Sequence, residues 1–178
     1  MVADTSPTIN RIMIFGRPGS GKSTFALKLH MLLGLPLFHL DKYFYVKDWV
    51  ERDKEEFLDI QETLVEQQSW IIDGNCTGSL ATRFKKADVC LYFNMPRWQC
   101  YLRIVKRWFF KNPAIDDRAP GCKETVQLSL LTYMWSFEKR VARAIPHLKK
   151  TYPHVHFFEI KNQHDLEQAE RFLHHAAQ

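Results

Sequence analysis

Near the N-terminus the run Gly16-Arg17-Pro18-Gly19-Ser20-Gly21-Lys22-Ser23 satisfies the pattern G-x-x-x-x-G-K-[ST] in full. No other feature of the chain restricts its fold as tightly. The pattern works only as a turn that leaves an apolar strand and enters a helix. Glycines let the backbone curl through positive φ, so successive N–H groups point inward and form an anion nest. The following helix adds the partial positive charge of its N-terminus. Residues 11–15 read as that strand, and a helix is expected over 22–33, stopped by Gly34. A plain glycine turn would account for the glycines but not for the adjacent Lys22 and Ser23. Residues Gly16 to Thr24 are therefore expected to cradle ATP. Lys22 would reach the β- and γ-phosphates and the Ser23 hydroxyl would ligate Mg²⁺.

Beyond this loop, short apolar runs alternate with longer amphipathic segments, the pattern of a parallel sheet wrapped by helices. Further strands are expected at 37–40, 70–73, 89–94 and 155–160. The run at 89–94 is apolar almost throughout, as suits a strand buried on both faces. Helices are expected over 54–67, from Pro96 to about 111, over 125–150 with Pro146 ending or kinking it, and over 165–177. Residues 112–123 contain Pro113, Pro120 and Gly121 and read as a loop. The 178 residues, 46% of them hydrophobic and 25% charged, suit one domain over 11–178 behind a flexible stretch 1–10. No run approaches the roughly 18 apolar residues of a membrane span. The N-terminus lacks a basic-then-apolar signal, so a cytoplasmic protein is expected. Cys76, Cys90, Cys100 and Cys122 form no C-x-x-C pair, which argues for free thiols and against zinc.

Ligands of open α/β sheets sit outside the carboxyl ends of the strands. Asp41 and Asp73 each close an apolar strand-like run there. Asp73 is the choice for holding Mg²⁺, because the strand at 89–94 ends in Asn94 and offers no carboxylate. Asp41 then falls on the acceptor side, either taking the proton of an attacking hydroxyl or holding that hydroxyl in line. A turn or helix-cap aspartate is the plainer reading of each.

Phosphoryl transfer spreads negative charge that cations must meet. Between Arg97 and Lys150 there are 12 Lys/Arg against 4 Asp/Glu, within a chain whose overall charge is only +5. Arg103 and Arg107, four apart on one helical face, are the preferred catalytic cations, with Arg97 and Arg118 as further candidates. A basic helix, a Pro/Gly loop and a second helix make a lid over about 103–123. Trp108, Phe109 and Phe110 beside these arginines are read as packing rather than base stacking.

The run from Arg11 to Thr24, His39-Leu-Asp-Lys42, Trp70-Ile-Ile-Asp-Gly-Asn75 and Asn94-Met-Pro-Arg-Trp98 together resemble the adenylate-kinase-related P-loop proteins of the bacterial topology-modulation family. The resemblance extends from Arg11 to about Leu173. It implies an α/β P-loop NTPase fold with a five-stranded parallel sheet in nucleoside-kinase order, ATP as donor and an arginine-bearing helical lid. It also implies Asp41, Asp73, Asn75 and Arg83 near the acceptor, with Arg103 and Arg107 in the lid. The expected activity is transfer of the γ-phosphoryl of ATP-Mg²⁺ to a small acceptor: adenylate, another nucleotide, a nucleoside or a sugar acid. Two rivals stand beside it. The basic segment would suit a nucleic-acid-associated regulator, but no helix-turn-helix, zinc knuckle or extended basic run accompanies it. A plain NTPase would need a residue that positions water, and Gln61, Gln67, Gln68 and Gln99 all lie off the strand tips.

Overall fold

The computed structural model of the chain describes residues 9–109, 119 and 128–175. Its five strands are β1 (Arg11–Gly16), β2 (Leu37–His39), β3 (Trp70–Asp73), β4 (Val89–Phe93) and β5 (His156–Ile160). All pair in parallel, in the order β2-β3-β1-β4-β5. Parallel neighbours cannot be joined by tight turns, so helices carry the chain back between them. These are α1 (Lys22–Leu33), α2 (Leu40–Phe44), α3 (Lys54–Val65), α4 (Leu80–Lys86), α5 (Arg97–Phe109), α6 (Leu128–Val141), α7 (Ala144–Thr151) and α8 (Gln163–His175).

The two faces of the sheet are covered by different helices, and strand alternation decides which residue serves which. Met13, Phe15, Trp70, Ile72, Cys90 and Tyr92 pack with Phe57 and Leu64 of α3, Phe84 of α4, and Phe137 of α6. Ile12, Ile14, Ile71, Val89, Leu91 and Phe93 pack on the opposite face with Phe25 and Leu29 of α1, Cys100 and Ile104 of α5, and Leu173 of α8. Among the described residues one helix joins both clusters: α6 gives Met134 to the second and Phe137 to the first. The central strand β1 is thereby locked from both sides, and its carboxyl end, where the glycine run begins, is held rigidly.

Three expectations from the sequence need correction. The second strand stops at His39 rather than at residue 40, and Leu40 opens the short helix α2. This strand lies at the sheet edge, and its last ladder partner is Asp73 opposite His39. Beyond that pair nothing extends the strand, and Leu40 turns inward to full burial. Second, the long helix expected over 125–150 is broken: α6 ends at Val141 and α7 starts at Ala144. Third, Pro146 neither ends nor kinks a helix. It is the third residue of α7, in the first turn, where a missing N–H costs no intrahelical bond. Much of the expected loop at 112–123, together with Arg118 and Cys122, lies outside the described residues. Among the described residues no helix is long and apolar enough to cross a membrane, and Cys76, Cys90 and Cys100 are free thiols.

Candidate active site

The glycine run is shaped by close contacts that a side chain would destroy. At Gly16 the backbone has φ +147°, and an added Cβ would lie 2.2 Å from the Phe93 carbonyl oxygen. The loop starts so close to β4 that the Arg17 N–H donates to that same oxygen at 3.1 Å. Gly19 has φ +75°, and its Cβ would lie 2.5 Å from the Cys100 carbonyl oxygen of α5. The loop is thus pressed between β4 and α5 before it feeds the N-terminus of α1. Lys22, only 8% exposed, folds back over the loop and donates from Nζ to the Arg17 carbonyl at 3.1 Å. The Gly16 N–H donates to Asn75 Oδ1 at 3.0 Å, which ties the start of the loop to the segment following β3.

Asp73 ends β3, opposite Ile14 of β1 on one side and His39 of β2 on the other. It is 4% exposed. His39 Nδ1–H donates to its Oδ2 at 3.0 Å. Its other oxygen, Oδ1, is buried and makes no hydrogen bond. Burial by itself would raise the carboxyl pKa, but the His39 hydrogen bond, the Lys22 charge and the Ser23 hydroxyl outweigh it and hold Asp73 below the ordinary carboxylate value. An ionised carboxylate with one oxygen left over beside a hydroxyl is a donor set that suits a hard divalent cation. The sequence offered no signal that His39 would hold Asp73, since the two lie 34 positions apart and meet only through the β2–β3 pairing.

Asp41 does not sit at a strand tip. It lies in the first turn of α2, on the exposed surface. Its charge still reaches Tyr133 of α6. Burial pushes that phenol up to about 12, Arg140 opposes the rise and Asp41 adds to it. Asn75 and Arg83, which the resemblance implies near the acceptor, are both engaged within the protein. Asn75 holds Gly16. The Arg83 guanidinium is fully buried and donates to the Gly74 and Cys76 carbonyls at 2.8 and 2.9 Å. Burial lowers its pKa to about 10. Arg83 therefore fixes the path of the chain between β3 and α4. Gln61 is also spoken for: buried in α3, it accepts from Ser79 Oγ at 2.9 Å and contacts Cys76 Sγ through its amide nitrogen. It is not free to orient a water.

Of the arginines expected in a lid, Arg103 lies at the loop itself. Its Nη1 donates to the Ser20 carbonyl at 2.8 Å. Arg107 follows one turn later on α5. The side chain of Arg17 has a separate fate. Only 2% exposed, it leaves the loop and donates from Nε to the Met134 carbonyl at 3.2 Å, from Nη1 to the Met95 carbonyl at 2.6 Å, and from Nη2 to Glu138 at 3.3 Å. Sequence reasoning placed Arg17 at the phosphates as part of the loop. The guanidinium instead turns away from the loop into these contacts.

A five-stranded parallel sheet in this order, with the glycine loop between the central strand and α1, is decisive for architecture. This is the P-loop NTPase fold. Solved structures that share it include a shikimate kinase from Acinetobacter baumannii in complex with shikimate, at 15% identity over 93% of this chain and 92% of that one, TM-score 0.57. A gluconokinase from Sinorhizobium meliloti aligns at 12% identity over 96% and 92%, TM-score 0.53. A deoxyadenosine kinase from M. mycoides aligns at 17% identity over 92% and 97%, TM-score 0.55. At such identities the P-loop NTPase fold is what these chains share. No protein-family pattern matches the chain, and no curated protein matches it either.

Proposed function

We propose that the chain is a small P-loop phosphotransferase that moves the γ-phosphoryl of ATP-Mg²⁺ to a small hydroxyl- or phosphate-bearing acceptor. The observation that carries this reading is the meeting of three groups at one loop. Lys22 is folded over it, ionised Asp73 stands beside Ser23 with Oδ1 unengaged, and Arg103 reaches it from α5. The structural likeness to kinases of shikimate, gluconate and deoxyadenosine supports a small acceptor without choosing among them.

In this reading the amides of residues 16–24 bind the phosphate chain. The Lys22 ammonium moves from the Arg17 carbonyl to the β- and γ-phosphate oxygens. Ser23 and Asp73 Oδ1 would hold Mg²⁺, which when bound neutralises charge on the transferring group. His39 keeps Asp73 oriented. Arg103 meets the charge that develops on the equatorial oxygens, and Arg107 on the same helix supports it. Asp41 stands on the acceptor side and receives or orients the attacking hydroxyl. Asn75 and Arg83 serve the acceptor by fixing the segment beside it. The resemblance to the topology-modulation family and a cytoplasmic site of action belong to this same proposal, as does a lid over about 103–123, most of which lies outside the described residues.

Labelled ATP incubated with a panel of nucleosides, nucleotides and sugar acids tests the proposal. Transfer of label to any member supports it. Release of the label solely as inorganic phosphate, at the same rate with and without the panel, sinks it in favour of a plain NTPase. Tight, sequence-selective DNA binding at physiological salt would favour the nucleic-acid regulator instead, since generic phosphate attraction is weak and falls steeply with salt.

A further inference from the structure

The Arg17 side chain presents a physical problem that the phosphate loop alone does not explain. The first variable position of the loop needs only a backbone, yet here it carries a guanidinium buried to 2% exposure. Burying a charge is costly unless its donors are all engaged. Among the described residues, the only carboxylate that Arg17 meets, Glu138, is half exposed and is shared with Arg97 at 3.4 Å. The Arg17 Nε and Nη1 donate to two main-chain carbonyls, Met134 in the middle of α6 and Met95 just before α5. These grips fall 117 and 78 positions away in sequence. Arg97 closes the group by lying 4.7 Å over the Trp135 ring of α6.

Two ends of one residue thus do different work. The Arg17 carbonyl is the perch of the Lys22 ammonium, and its side chain grips α6. On the proposed reading, Asp41 marks the acceptor side. Tyr133, the residue before Met134, lies within the electrostatic reach of Asp41. The same helix contributes to both core clusters, so a shift of α6 is transmitted as a rigid body rather than absorbed locally.

We propose that Arg17 is a positioning residue that couples the phosphate loop to α6, so that occupation of the loop by nucleotide stiffens α6 and its acceptor-side face. This inference rests on the reading of residues 16–23 as a nucleotide site. When Lys22 leaves the Arg17 carbonyl for a phosphate, the loop around Arg17 adjusts, and the guanidinium carries that adjustment to the Met134 carbonyl and Glu138. Nucleotide binding at the loop and acceptor binding beside α6 are then linked, and the linkage is reciprocal.

Amide hydrogen exchange on the full chain, with and without Mg²⁺ and a non-hydrolysable ATP analogue, tests this. In the wild type, nucleotide should slow exchange both at 16–23 and at 131–141, the latter by about fivefold or more, the lower end of coupling between sites. Arg17→Met should keep the response at 16–23 and lose it at 131–141. Arg17→Lys, able to reach only part of the group, should restore some of it. Glu138→Gln retains both carbonyl grips and tests the same link where Arg17→Met fails to fold; it should weaken the α6 response while leaving the loop response intact. An α6 response of equal size in wild type and both Arg17→Met and Glu138→Gln overturns the coupling, as does a wild type whose loop responds while α6 does not. A wild type in which not even 16–23 responds overturns the nucleotide reading, and the coupling with it.

Discussion

His39 spends its Nδ1–H on Asp73 Oδ2 at 3.0 Å, and that one bond leaves Oδ1 as the carboxylate oxygen with no hydrogen bond. Orientation of a ligand by a histidine of this kind ordinarily changes metal affinity by 10- to 100-fold. We therefore expect His39→Ala to raise the Mg²⁺ or Mn²⁺ concentration needed for half-maximal activity by about tenfold. Metal-free ATP binding should change little. Direct titration of Mn²⁺ by electron paramagnetic resonance, with nucleotide present, reads the metal affinity independently of turnover. An unchanged Mn²⁺ affinity would remove His39 from the site.

Asp73 also sets a pH dependence. Its folded pKa lies below the ordinary, unfolded value. Its ionisation thus favours the folded state at neutral pH, and the contribution is lost as pH falls from about 4 through the folded value. Urea midpoints of wild type and Asp73→Asn measured from pH 7 to pH 3 should converge at the acid end. A gap that stays constant over this range contradicts the depressed pKa.

Lys22 and Asp41 are expected to fail differently. Lys22→Ala should cost about 10³-fold in transfer, in the range that charge-stabilising groups supply, while the backbone nest preserves much of the ATP affinity. Asp41→Asn should lower transfer without altering the Mg²⁺ requirement. Metal titrations of both variants decide the matter. If Asp41→Asn instead shifts the metal requirement, the two aspartates have exchanged roles.

Arg103 touches the loop through the Ser20 carbonyl. Its removal should slow transfer by about 10²–10³-fold and leave acceptor-free hydrolysis nearly unchanged, because hydrolysis does not need the assembled acceptor site. Assaying both reactions on Arg103→Ala and Arg107→Ala compares the two arginines. Equal loss of hydrolysis and transfer would make Arg103 a structural brace of the loop.

Gly19 and Gly34 offer a matched pair. Their φ angles are +75° and +68°, but a Cβ on Gly19 meets the Cys100 backbone while one on Gly34 meets nothing within 4 Å. Gly34→Ala should cost about 1 kcal/mol, the left-handed penalty alone. Gly19→Ala adds a backbone clash and should cost about 3 kcal/mol or more. Equal losses in urea denaturation would mean that α5 does not press on the loop.

What the sequence made legible follows from the range of the forces involved. The ends of α1 were readable because Gly21 and Gly34 are local signals, both at positive φ. Strand β4 was readable because its residues are buried on both faces. Helix α2 was not. Leu40-Asp-Lys-Tyr-Phe44 follows an edge strand, and only the absence of a further ladder partner past His39 ends that strand. The break between α6 and α7 has no glycine or proline at Ala142 or Arg143 to announce it, and Pro146, the visible signal, sits harmlessly in a first turn. At the site, the motif named Lys22 and Ser23, and the position at a strand's carboxyl end named Asp73. The partners of Asp73, Gly16 and Arg17 are set by strand order and helix packing across 34, 59 and up to 121 positions, beyond the reach of any local pattern.

The close seating of Gly16 has a consequence for the order in which a working site comes into being during synthesis. The phosphate loop leaves the ribosome before the segments from which its shape is borrowed. The Gly16 amide waits for Asn75, the Arg17 amide for Phe93, and the Arg17 guanidinium for Met134 and Glu138. A nascent chain that stops short of Phe93 carries the whole motif and still lacks the contacts that shape it. On the proposed nucleotide reading, a bound nucleotide then stabilises a chain that has already closed on itself, which makes ligand-induced stabilisation a late checkpoint rather than a folding seed.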